Sequence, residues 1–334
     1  MSLLFDKLKK DRPNLSKESL TSYHTTYKQL KAHFGIESPK DAKFLFDYAK
    51  LKSFINGYAN PNTRKSKVIA VLVFMSTLKD KTPKEKKIFD KIQVNLSDLN
   101  DNYFEKQSTQ EKSEKQKKNF ITMKDFEGVI RDLKQDLIKA DYKRWVPGDL
   151  NKKEFTLMSE YMLLRMYYEF PVRNDFWEVK ILPKTIYEKL PSQKQDGFNY
   201  ILTEKGLPTT LQINRFKTRS SLGRQSMSIP EKLGKILNTY IKLIDSDMFL
   251  FVKEKDRSES ISSNDISKIL NRVFKRYFPD KSVSTSVLRH VQTEAFSKKN
   301  GIPSQKEAKK LNDKIENKFL HSAVTNQKIY RKDK

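Results

Sequence analysis

The chain contains no cysteine. Disulfides, thiolate zinc sites and cysteine nucleophiles are therefore excluded. Histidine is scarce, with only His24, His33, His290 and His321, so a metal centre built from clustered imidazoles is not expected. No apolar run reaches the about 18 residues that a membrane span requires, and the opening residues have too short an apolar stretch for a secretory signal. Acidic residues are in deficit: 41 Asp and Glu face 67 Lys and Arg, a net charge of +26. Such a surplus repels itself in a compact state and points to a polyanionic partner, nucleic acid first among them.

What remains is 334 residues, a length that fits one large domain or two ordinary ones. Hydrophobic residues make up 37% and charged residues 32%, which leaves apolar material for two small cores under a heavily solvated surface. The first third reads as helical. Ser16 or Ser19 can cap a helix carrying Leu20, Tyr23, Tyr27, Leu30 and Phe34, which Gly35 stops. Residues 57–61 break the pattern. Asn62 then reads as the cap of a helix with Val68, Ile69, Val71, Leu72 and Met75, and a weaker helix covers 84–96. Residues 105–119 hold no large apolar side chain and read as a linker. The expected organisation is thus a helical bundle over 1–104, a linker over 105–119 and a second domain over 120–334.

In that second domain, 122–140 and 153–170 read as helices. Residues 199–203, 210–216 and 225–229 alternate as strands with one buried face should, punctuated by turns at Lys205-Gly206 and at 220–223. Helical patterns resume from Glu231, over 261–278, 284–299 and 307–319. The fold class is mainly α with a small antiparallel sheet, an α+β domain behind a helical bundle.

Phosphodiester cleavage without a metal needs a nucleophile, cations for the phosphorane-like transition state and an acid for the departing oxygen. Arginine suits the second task, because its planar fork binds two phosphate oxygens at once. Lysine suits the third. The C-terminal half offers such a set in order: Arg173 after an apolar helix, Lys217 between two strands, Arg289-His290 at a helix start, and His321 nine positions before Tyr330. Taken singly, each has an ordinary reading: a surface arginine, a solvated turn lysine, a helix-end histidine, a packing tyrosine. Their order and spacing carry the case.

The ordered set resembles the tyrosine recombinase, or phage integrase, family over roughly residues 121–334. The Pro171–Asp175 run and the strand pair around Lys217 look most like integrases of large eukaryotic DNA viruses and their virophages. The resemblance implies a catalytic domain preceded by a helical core-binding domain, the two closing as a C-shaped clamp on duplex DNA. It implies that Arg173 and Arg289 clamp the scissile phosphate, Lys217 protonates the leaving 5′ oxygen, His321 hydrogen-bonds the phosphate and Tyr330 attacks. The product would be a 3′-phosphotyrosyl intermediate, formed with no metal and no cofactor. It further implies a monomer in solution that assembles as a homotetramer on paired DNA sites, inside the cell, in a host nucleus or viral factory. No membrane partner is expected.

Two positions depart from the family pattern. Ser286 stands where the family has the histidine that accepts the tyrosine proton. A serine has no suitable pKa, which leaves that role to water or His290. Phe176 occupies the place of the family's acid, and Asp175, one position earlier, is the candidate to support His290 or an arginine. For DNA contact outside the active site, Asn62, Arg64, Lys65 and Lys67 cluster at a helix start, where backbone N–H groups favour phosphate. Basic residues 112–118 read as solvated linker. Two rivals stand beside the recombinase: a type IB topoisomerase-like enzyme, and a DNA-binding protein whose catalysis has lapsed at Ser286.

Overall fold

The computed structural model describes residues 3–300, apart from 14, 38, 40, 109–111 and 247. The chain divides into two compact units, Met1–Ser108 and Thr109–Lys334.

The first unit is helical: α1 (Leu3–Asp11), α2 (Lys17–Phe34), α3 (Tyr48–Asn56), α4 (Pro61–Ser76) and α5 (Pro83–Ser108), with a 3-10 turn over Lys43–Phe46. Of the two serines that could cap α2, Ser16 does so, its hydroxyl accepting from the Ser19 N–H. Gly35, at φ 69°, ends the helix in the left-handed region, where a side chain would be strained. The cap of α4 is Asn60 rather than Asn62: its Oδ1 accepts from the N–H of Asn62 (2.9 Å) and Thr63 (3.3 Å). Pro61 follows at the first helical position, where its missing N–H costs nothing. The core gathers Leu8, Tyr27, Leu30, Leu45, Leu51, Val68, Val71 and Phe74.

The division between the two units falls within 105–119, and the described residues of this stretch carry helix. Helix α5 runs on to Ser108, and a Ser113/Gln116 capping box starts α6 (Glu114–Asn119). Lys112 pairs with Glu294 at 3.0 Å and lies over the Phe120 ring at 4.4 Å. The low apolar content of this stretch thus hides ion pairing and cation–π contact, which composition does not register.

The second unit is built around α8 (Lys152–Glu169), which is buried on nearly every side, with α7 (Met123–Lys139) packed along it. Asn151 and Glu154 close a capping box at its start. After α8 comes a four-stranded sheet in the order β1 (Val179–Pro183), β2 (Asn199–Glu204), β3 (Leu207–Ile213), β4 (Gln225–Ser228). The sheet is mixed. β2/β3 and β3/β4 are antiparallel, whereas β1, which the alternation pattern did not reveal, runs parallel to β2. Short helices α9 (Lys184–Tyr187) and α10 (Ser192–Asp196) form the β1–β2 crossover, and α11 (Arg219–Leu222) lies in the β3–β4 connection. Lys205 and Gly206 both take positive φ at the β2–β3 hairpin, as the right-handed strand twist favours. Helix α12 (Glu231–Ile244) packs on β3. α13 (Ser263–Tyr277) and α14 (Thr285–Asn300) complete the described residues. The helix expected over 307–319 lies outside them. No helix among the described residues is long and apolar enough to cross a membrane.

Candidate active site

Helix α8 ends at Glu169 because Pro171 cannot donate to a further turn. The chain swings away, and Val172 and Phe176 anchor it in the core, both fully buried. Between these anchors the loop presents Arg173, Asn174 and Asp175 to a cleft of about 430 Å3. Trp177 lines the same cleft. On the far side stand the amino ends of two helices, Ser263 of α13 and Thr285 and Ser286 of α14, with Arg289 one turn further in.

The loop is held from three directions. The buried Tyr167 hydroxyl donates to the Arg173 carbonyl at 2.9 Å. The Asn174 amide donates to the Ser263 carbonyl (3.1 Å) and reaches the hydroxyls of Ser263 (3.0 Å) and Ser267 (3.2 Å), tying the loop to α13. The Arg173 N–H donates to the Asp175 carboxylate at 3.0 Å. Arg289 is 1% exposed, and its Nε donates to the Pro171 carbonyl at 2.9 Å.

Burial pushes the Asp175 carboxyl above its usual pKa, while the charges of Arg173 and Arg289 and the Arg173 N–H pull the other way. The Tyr167 phenol is pushed well above its usual value, first by burial and then by the Asp175 charge, so it stays neutral and donates. Two guanidiniums against one carboxylate leave the cleft cationic. Two helix amino ends add the positive ends of their dipoles, although Ser262 and Asp265 cap the first turn of α13 and Ser284 accepts from the Val287 N–H of α14. An arrangement of this kind binds a tetrahedral oxyanion and stabilises added negative charge on it. No group of three or more His, Asp or Glu side chains among the described residues is placed to hold a metal ion.

The other sequence candidates fall in different places. Lys217 is exposed, in the β3–β4 connection and outside the cleft lining. Ser286 is on the cleft wall. His290 is not: its ring is buried, with Nε2 3.3 Å from the Gln116 amide nitrogen of α6. The charges of Arg173 and Arg289 act on Asp175. His321 and Tyr330 lie outside the described residues.

In the first unit, Asn62 is exposed at the start of α4. Arg64 turns back, donating through Nε and Nη2 to the Tyr58 carbonyl at 3.2 and 2.9 Å. Lys67 donates to Thr26 Oγ1 (3.0 Å) and Gln29 Oε1 (2.7 Å) over the Tyr58 ring, and burial pushes its pKa down. Lys65 lies over the Tyr103 ring at 4.9 Å. These three cations are partly engaged within their own unit.

Asn174, Trp177, Ser263 and Thr285 were not legible as site residues. The Ser262/Asp265 capping signature does mark a helix start, but no local pattern announces that this start meets Arg173.

No family model matches the sequence, and no curated protein matches it. Among solved structures, the crystal structure of XerA recombinase aligns over 98% of this chain and 92% of that chain, at 12% identity and a TM-score of 0.38.

Proposed function

We propose that this chain is a tyrosine-type site-specific DNA recombinase that cuts and rejoins duplex DNA through a 3′-phosphotyrosyl intermediate. The observation that carries the reading is the meeting of Arg173 and Arg289, remote in sequence, at one cleft with the amino ends of α13 and α14. The net charge of +26 supports a polyanionic substrate.

In the proposed reaction the scissile phosphate sits between the two guanidiniums. The Tyr330 oxygen attacks phosphorus and the bond from phosphorus to the 5′ oxygen breaks. Lys217 delivers a proton to that oxygen as it leaves, and the tyrosine proton passes to water, because Ser286 offers no base and the His290 ring is turned to Gln116. His321 hydrogen-bonds the phosphate. The phosphotyrosine bond retains the energy of the phosphodiester, so a 5′-hydroxyl from a partner duplex reverses the step without ATP. Exchange between two duplexes then calls for four protomers on paired sites, assembled from a chain that is monomeric in solution. The likeness of the Arg173 and Lys217 segments to viral and virophage integrases supports site-specific integration or excision, with a viral genome as the proposed cargo.

The test is a pool of nicked duplexes with randomised sequence around the nick, from which the cut fragment diffuses away. The native chain is expected to give a denaturant-stable protein–DNA adduct, lost in Tyr330→Phe, whose recovered DNA identifies the site. Strand exchange between two such duplexes separates a recombinase from a topoisomerase. The absence of adduct across the whole pool would leave a DNA-binding protein without catalysis.

A further inference from the structure

The proposed acid, Lys217, and the arginine cleft belong to different loops, and one buried side chain bridges those loops. Asn199 is 5% exposed and opens β2, the strand between β1 and β3. Its backbone is in register with Val179, so the site loop enters β1 on one side of it. β3 leaves the sheet toward Lys217 on the other.

The carboxamide uses this position fully. Its Nδ2 donates to the Asp175 carbonyl (2.9 Å) in the cleft loop and to the Arg215 carbonyl (3.1 Å) in the connection. Its Oδ1 accepts from the N–H of Asn214 (2.9 Å) and of Arg215 (2.7 Å). Two donors and two acceptor sites are all that the group possesses. Asparagine is the one side chain of this length that can both donate twice and accept twice, so no substitute of that length makes the same brace.

A second tie runs in parallel. The Arg215 guanidinium lies over the Trp177 ring at 4.7 Å and pairs with Glu178 at 3.0 Å. Glu178 takes φ 52°, a left-handed conformation that a side-chain-bearing residue holds only when its surroundings enforce it. Lys217 follows Arg215 by two residues, with the buried Phe216 between them.

We propose that Asn199, assisted by Arg215, is a positioning residue that holds the Lys217 segment in fixed relation to the Arg173/Arg289 cleft. The inference rests on the recombinase reading, which makes Lys217 the acid for the leaving oxygen. Displacement of an acid by about 1 Å costs on the order of 100-fold in rate.

The experiment uses the full chain and a nicked duplex recovered from the adduct pool, made with either oxygen or sulfur at the scissile 5′ position. A thiolate leaves without protonation, so sulfur bypasses the acid. Adduct rates are measured at saturating DNA. Asn199→Ala and the exposed Arg215→Ala are expected to slow the oxygen substrate, by about 100-fold for Asn199→Ala, and to regain the native rate with sulfur. Lys217→Ala should behave likewise, whereas Arg173→Ala stays slow on both. Equal slowing of both substrates by Asn199→Ala, or no slowing, would overturn the proposal.

A second measurement stands apart from activity. In a Trp145→Phe background, Trp177 is the remaining tryptophan, and Asn199→Ala should increase its quenching by acrylamide. Unchanged quenching in a variant that still melts cooperatively also counts against the brace. Failure of the native chain to form adduct with either substrate would instead remove the recombinase reading, and the inference with it.

Discussion

A guanidinium that is 1% exposed keeps its charge inside the protein only if its surroundings answer it. Arg289 has the Pro171 carbonyl on Nε and the Asp175 charge nearby. Removing it leaves that carbonyl without its donor and the carboxylate with Arg173 alone. Arg289→Ala is expected to slow adduct formation by roughly 100–1000-fold. Arg289→Lys should recover only part of that, because an ammonium lacks the fork that holds two phosphate oxygens. Single-turnover adduct assays check both. Asp175 carries a prediction about pH. Burial raises its pKa in the folded protein, so the folded state holds this proton more tightly than the unfolded one. The resulting stability is complete below the ordinary carboxylate pKa and is lost as pH rises through the raised value. Asp175→Asn has no proton to lose, so it should melt above the native chain near pH 7 and match it near pH 3. A variant that melts below the native chain only near pH 7 would mean that attraction by the arginines outweighs burial.

At the scale of elements, the approach of α12 to β3 decides how tightly the sheet is covered. A Cβ placed on Gly234 would stand 2.6 Å from the Pro208 carbonyl oxygen, a backbone atom that cannot swing aside. Gly234→Ala should therefore push the helix off the strand and cost about 1–3 kcal/mol, read as a lower urea midpoint. Most elements were legible because each carries a local signal. Capping pairs start α7, α8 and α13, and Lys205-Gly206 turns β2 into β3. β1 escaped because its five residues have no period of their own and end in proline. Its partner β2 is parallel and reached only through a crossover, a relation that alternation along the chain does not express. The cap of α4 was misplaced by two residues for a smaller reason: Asn60 and Asn62 are both good caps, and only Asn60 precedes the proline that opens the helix.

For the whole molecule the decisive quantity is charge. With a net +26 on 334 residues, the proposed duplex binding should depend on counterion release. For a footprint of roughly six neutralised phosphates, affinity for a non-cognate duplex should fall about 1000-fold between ~50 and ~200 mM salt. A slope near zero in a fluorescence-anisotropy titration would speak against a phosphate-tracking surface. That surplus, the absence of cysteine, the helical bundle and the α+β second unit were all determined by the sequence itself, because composition and periodicity act locally and add along the chain. Arg173 and Arg289 could be picked out by their order and flanking residues. Their convergence on one cleft, the inward turn of Arg64 and Lys67, the pairing of His290 with Gln116 and the brace at Asn199 were decided only by the tertiary structure. Each depends on which distant backbone groups a side chain meets, and a buried polar group is specified by the partners that satisfy it, not by its neighbours in sequence.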